Sequence, residues 1–209
     1  MYRLLLIMCL VGLVLSACTS GNAPTNQGFL KNFEGNPLMA EAVADQMIEF
    51  VTDLQISANE RKQPITDPAI LRAMDDTFIE ARRVRDSAFT MQDEGKKGGF
   101  HGIQESFVEG EALLVGETLY FGYEFRTDPA LDMHVFLSKH VTPSTEAELQ
   151  SEPLMDLGPL QNILGPQEYR VGPLSPADWN QYRTVALYSA PLKRVIGYAQ
   201  IRGNPKKEE

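Results

Sequence analysis

Cysteine is nearly absent from this chain: Cys9 and Cys18 are the only two in 209 residues, and both fall in the first stretch. Histidine is scarce as well, with His101, His134 and His140 alone. A zinc or haem site needs His, Cys or Met converging on one point. His134 and His140 stand six apart across a strand-like run and a loop, so they need not share a face. The residues therefore point to no metal and no cofactor. Positive charge is in deficit, with 19 Lys+Arg against 28 Asp+Glu and a net charge of −9. That argues against a nucleic-acid partner, because phosphate binding needs clustered cations. There is no G-x-S-x-G, no H-E-x-x-H and no P-loop. Ser189, close to Pro191, lacks a nameable histidine partner, and the many carboxylates follow from acidic composition. The expectation is a non-enzyme without catalytic residues. What is present is globular composition, 43% hydrophobic and 22% charged, in a chain long enough to bury roughly 70% of its unfolded surface.

Long apolar runs are also lacking. The longest, residues 4–15, has 12 residues, against the about 20 that a membrane-spanning helix needs. It follows Arg3 and precedes Leu15-Ser16-Ala17-Cys18, the layout of a secretory signal. The last four residues resemble the bacterial lipoprotein lipobox. That resemblance implies cleavage before Cys18, with residues 1–17 as signal peptide, and diacylation of the Cys18 thiol. Each buried acyl methylene adds about 0.8 kcal/mol, so two or more chains anchor stably. Thr19 in the next position suggests the outer membrane of a bacterial cell envelope, where the cell has one. The mature chain then holds no free thiol, which excludes disulfide exchange, thiolate metal ligation and cysteine nucleophilic catalysis.

Residues 18–37 read as a tether, rich in Gly, Asn and Thr, with Phe29, Leu30 and Phe33 as apolar exceptions able to dock on the folded body. Residues 38–98 read as a helical hairpin. Asn36 suits an N-cap and Pro37 the first helical position. Met39, Val43, Met47, Phe50, Val51 and Leu54 recur at helical spacing, and the helix is expected to end near Ser57. Asp67-Pro68 opens a second helix with the stripe Leu71, Met74, Phe78, Ala81, Val84, Ala88 and Met91, ending before Gly95. Such stripes pack on each other.

From Gly99 the period shortens. Strand-like runs at 111–115 and 118–125 flank a Gly116-Glu117 hairpin turn. A further strand is read at 132–138, a long polar loop at 139–156, and a short strand at 167–171. Ser175 caps a helical turn, and 183–189 pairs with 194–201. Residues 99–202 thus predict an antiparallel β-sandwich or jelly-roll-like domain, mainly β with an α part, followed by a polar tail, 203–209. Tyr169 is expected to bury its ring and tie its hydroxyl to a loop, and Trp179 to plug one end.

Several motifs lie in order along this region: Gly99-Phe100; Val108-Glu109-Gly110-Glu111-Ala112; Asp132-Met133-His134-Val135-Phe136-Leu137-Ser138; Leu157-Gly158-Pro159-Leu160; Gly165-Pro166-Gln167-Glu168-Tyr169; Val185-Ala186-Leu187-Tyr188-Ser189. In order and spacing they resemble the DM13 domain, an extracellular module associated with electron transfer. In that family the last motif carries a cysteine proposed as the redox group. Here Ser189 stands in its place, with Tyr188 where tryptophan is usual. A serine hydroxyl cannot cycle between oxidation states. The expectation is a lipid-anchored binding or interaction module contacting a protein, polymer or small ligand, with His134 and Tyr188 as candidate ligand-facing residues. A redox-associated accessory role is the alternative.

Overall fold

The computed structural model describes Leu30 and residues 32–203. The segment read as a signal peptide, Cys9, Cys18, Phe29 and the tail beyond Gly203 lie outside the described residues. Helix α1 (Pro37–Glu60) begins where Asn36 Oδ1 accepts from Leu38 and Met39 N–H at 3.1 and 3.3 Å. Helix α2 (Pro68–Glu94) begins where Asp67 accepts from Ala69 N–H at 2.8 Å, and Gly95 caps its end. The contact face is narrower than the apolar stripes: Ala40, Val43, Ala44 and Met47 meet Ala81, Val84 and Ala88. Small residues let the helices approach closely, while Leu54 and Leu71 stay exposed. Leu30 is fully buried in this cluster and Phe33 packs beside it, so part of the tether docks. Among the described residues, no helix is long and apolar enough to cross a membrane.

Gly95 alone separates α2 from β1 (Lys96–Gly102). The remaining elements are β2 (Val108–Glu109), β3 (Glu111–Val115), β4 (Thr118–Phe121), β5 (Arg126–Thr127), β6 (Met133–Ser138), α3 (Glu146–Leu149), β7 (Leu154–Pro159), β8 (Gln167–Arg170), α4 (Pro176–Gln181), β9 (Thr184–Ser189), β10 (Arg194–Gln200) and β11 (Arg202–Gly203). The order β7-β6-β9-β10-β1-β3-β4-β8 forms one antiparallel, nearly closed sheet, with β11 on β1 and a separate β2–β5 pair. The domain is mainly β, preceded by the helical hairpin, as the pattern predicts. Strand β1 turns the corner between two halves: Lys96–Gly99 pair with β3, and Phe100–Gly102 pair with β10.

Inside, alternate residues meet. Phe100, Phe121 and Phe125 form a triangle with centroids 4.7–5.2 Å apart, and Tyr169 extends it at 5.4 Å. Tyr169 donates to Gln167 Oε1 at 2.8 Å and accepts from Gln161 N–H at 3.0 Å, tying the β7–β8 loop. The loop expected at 139–156 instead contains α3 and the start of β7. Strand β7 is an edge strand with partly exposed residues, so its pairing with β6, not apolar alternation, makes it a strand.

Candidate functional site

Strand β9 is buried along its whole length, with β6 on one side and β10 on the other. Its alternation sends Val185, Leu187 and Ser189 inward and Ala186 and Tyr188 to the outer face. Ser189 has no solvent exposure, and its hydroxyl donates to the Leu131 carbonyl. It closes the β5–β6 connection against the strand end. A thiol expected to be reactive at this position would instead be enclosed.

Tyr188 and His134 are register partners on β9 and β6, so the structure brings these two predicted residues together on the outer face. The 139–153 segment folds back over them. Leu149 of α3 is buried there, and Tyr188 donates its phenolic proton to Glu146. That acceptor, together with burial, pushes the phenol up to about 12. His134 is held edge-on between two carboxylates. Nδ1 lies 3.0 and 3.1 Å from the Asp156 oxygens, and Nε2 lies 3.6 Å from Asp132 Oδ1. Its ring stacks over Phe136 at 6.2 Å. Because the carboxylates occupy opposite edges of the ring, they do not converge on a point. His101 meets Tyr198 on β10, and His140 Nδ1 accepts from Thr142 N–H. Among the described residues, no group of three or more His, Cys, Asp or Glu is arranged to hold a metal ion. The cluster straps β6 to β7 and to the loop before it.

A concave surface lies elsewhere, between α1 and the barrel. It is a cleft of about 630 Å³ with Leu38, Phe50 and Tyr123 among its walls. Six carboxylates line it: Glu41, Asp45, Glu49, Asp53, Glu111 and Glu124. Lys97 is the only cation among them. Its base is a hydrogen-bonded joint. The buried Gln92 amide donates to Glu41 at 2.6 Å and to the Pro37 carbonyl at 3.3 Å, and accepts from Lys97 at 3.1 Å. Lys97 also reaches Glu111 at 3.0 Å. Asn36 Nδ2 adds a bond to the Phe121 carbonyl at 3.0 Å, and Leu38 packs against Gly122. The sequence signal for this cleft is a four-residue rhythm: 41, 45, 49 and 53 are all acidic. Like charges at that spacing destabilise a helix by about 0.2–0.5 kcal/mol per pair. Asp45 gains some relief from Arg85 at 3.6 Å, whereas Glu49 and Asp53 have no ion-pair partner among the described residues.

The family model described as Electron transfer DM13 matches residues 100–201. No curated protein and no solved structure matches the chain. The matched stretch runs from Phe100, at the corner of β1, to Ile201 at the end of β10, and so takes in nearly the whole barrel. It contains Ser189 sealed behind Leu131 and the Tyr188–His134 pair, while the acidic ridge on α1 lies outside it. Residues 100–201 are a DM13 domain, and this chain is a DM13 domain protein.

Proposed function

We propose that this protein is a membrane-anchored lipoprotein of the bacterial cell envelope, held by Cys18, whose DM13 domain and hairpin form a non-catalytic binding module for a cationic partner. The observation that carries this reading is the acidic ridge of α1 facing the barrel across the cleft. Four carboxylates one helical turn apart are unfavourable for the helix itself. With Lys97 the one cation in the cleft lining and Arg85 reaching only Asp45, they create a field that attracts cations and favours them over anionic ligands. Aromatic walls at Phe50 and Tyr123 add affinity for the organic part of such a partner. The partner is a basic peptide segment, a protein patch or a polyamine-like molecule. The enclosed Ser189 supports a role in contact rather than electron storage.

Calorimetric titration of the purified chain with an oligolysine peptide tests the cleft. Binding that weakens steeply with salt and disappears in Glu49→Lys/Asp53→Lys is expected. Equal binding by that variant, or none at low salt, would sink the cationic reading. Cys18→Ala tests the anchor separately: loss of lipid labelling and membrane retention is expected.

The family description favours a second reading, in which the domain docks an electron carrier without storing an electron itself. An absorption spectrum and metal analysis of the purified chain decide it. A visible chromophore or stoichiometric metal would turn the assignment toward redox chemistry.

A further inference from the structure

Every strand of the barrel ends at one of two rims. Six large apolar side chains of the domain are exposed: Phe107, Tyr123, Leu131, Ile163, Leu164 and Leu192. All six lie in the connections of one rim, formed by residues 103–107, 122–132, 160–166 and 190–193. None of the exposed large apolar residues lies in the connections of the other rim, 116–117, 139–153 and 171–183. The crowded rim is braced by its own backbone. Thr127 N–H donates to the Ile163 carbonyl at 2.9 Å, Asp128 N–H to Phe107 at 2.9 Å, and Gly165 N–H to Phe125 at 2.8 Å. Asp128 Oδ2 accepts from Phe107 N–H at 2.7 Å. The Ser189 hydroxyl holds the Leu131 carbonyl from below.

We infer that this rim rests on a lipid surface, inserting its apolar loop tips into the bilayer that holds the acylated Cys18; the inference rests on the anchoring proposed above. The length of chain outside the described residues fits this occupant. Leu30 is locked into the hairpin, and two successive turns (Phe33 N–H to Leu30, Asn36 N–H to Phe33) bring the chain to Asn36. Asn36 is bonded to Phe121, the last residue of β4 before this rim. From Cys18 to Leu30 are twelve residues, which reach at most about 40 Å. The barrel strands are only about 20 Å long, so the anchor leaves the domain beside the membrane and the rim within reach of it.

The polar groups of the rim suit that setting. Loop backbone near hydrocarbon must satisfy its own hydrogen bonds, and the bonds above meet that need at Phe107, Phe125, Thr127, Asp128, Ile163 and Gly165. Arg126 is paired with Glu109 and stacks over Phe107 at 5.9 Å. Arg194 is bonded to Ser106 at 3.0 Å. Lys193, beside Leu192 at the hairpin tip, has a stem long enough to carry its ammonium to the headgroups. The rim also carries the carboxylates Glu105 and Glu124, so the surface entered is zwitterionic rather than strongly anionic.

The test uses the acylated full chain in phosphatidylcholine vesicles, with and without brominated lipid. Trp179, the only native tryptophan, sits toward the far rim and serves as an internal reference. Leu164→Trp adds a probe at the crowded rim, and Leu192→Trp is a second in case the first disturbs folding. Interfacial insertion reaches about 5–10 Å, to the acyl boundary. Emission from positions 164 and 192 should therefore fall severalfold in brominated vesicles while Trp179 is unchanged. Unquenched emission at both positions from vesicle-bound protein overturns the inference and leaves the anchor standing. A blue shift that instead follows protein density assigns the rim to a second copy and overturns it too. A mass spectrum showing unmodified Cys18 removes the anchor, and this inference with it.

Discussion

At the rim where β8 leads into β9, the chain folds inward: Trp179 and Tyr182 cover the core. A lysine, Lys96, is buried beneath them, donating to the Trp179 carbonyl and to that of Tyr182 at 2.9 Å. At the opposite rim, leucines and a phenylalanine point outward while the backbone bonds to itself. One end hides a cation and the other exposes apolar side chains, inverting the usual sorting at both. The lysine is tolerable because carbonyls at the end of α4 have lost their helical partners and accept its protons. Of the exposed apolar side chains, Phe107 has Arg126 stacked over it, and the leucines stay open to solvent. The comparison teaches that one rim is closed by its own side chains, while at the other the backbone is bonded and the apolar side chains are left exposed.

Substitutions at five positions break or sharpen that contrast, in decreasing order of effect. Gly102 lies at the corner of β1 where a Cβ would sit 1.8 Å from the Ser106 carbonyl. Gly102→Ala should cost at least about 3 kcal/mol, read as a shift in the urea midpoint. A neutral outcome would mean that the corner is not rigid.

Lys96→Ala leaves two carbonyls of the closed rim without their donor and should cost about 2–3 kcal/mol; Lys96→Met, keeping the stem, should cost less. Burial, with Arg183 nearby, lowers the lysine's pKa in the fold. The unfolded chain then holds the extra proton, so stability rises as pH climbs through the folded value toward about 10.4. Lys96→Met should flatten that rise in unfolding measured against pH.

Tyr188→Phe removes a bond to a carboxylate on the outer face, a loss of about 1.5 kcal/mol. The sign of its pH dependence is opposite. A phenol at about 12 in the fold against about 10 in the unfolded chain stabilises below pH 10 and loses that contribution as pH rises through 12. The variant should lack this decline. Leu131→Ser and Leu192→Ser, at the exposed rim, should change stability by less than about 0.5 kcal/mol. A large loss would show that these side chains serve the fold after all.

Both caps, Asn36 and Asp67, could be read from the sequence, as could the tight hairpin at Gly116, whose φ is +57°. So could the pairing of β9 with β10 and the Tyr169 tie, because each follows from local chemistry. Strand β1 could not. Its residues, KKGGFHG, hold three glycines and one large apolar side chain, a pattern that reads as a breaker. Gly98 and Gly102 are there because backbone passes close: a Cβ at Gly98 would lie 2.0 Å from the Gln200 carbonyl and one at Gly102 1.8 Å from that of Ser106, whereas Gly99 has room. Long-range packing had inverted the local signal. The candidate site was legible in part. Tyr188 and His134 do share a face, but Ser189 is buried. The cleft escaped notice because it needs α1 and the barrel together, although its acidic four-residue rhythm is visible in the letters alone.

The direct passage from α2 into β1 has a mechanical consequence. With only Gly95 between them, a pull on the hairpin arrives along the length of a strand gripped by β3 and β10 over successive halves. Its rungs are loaded in shear and must yield together rather than unzip one by one. Drag on the hairpin would thus be borne by several backbone hydrogen bonds at once.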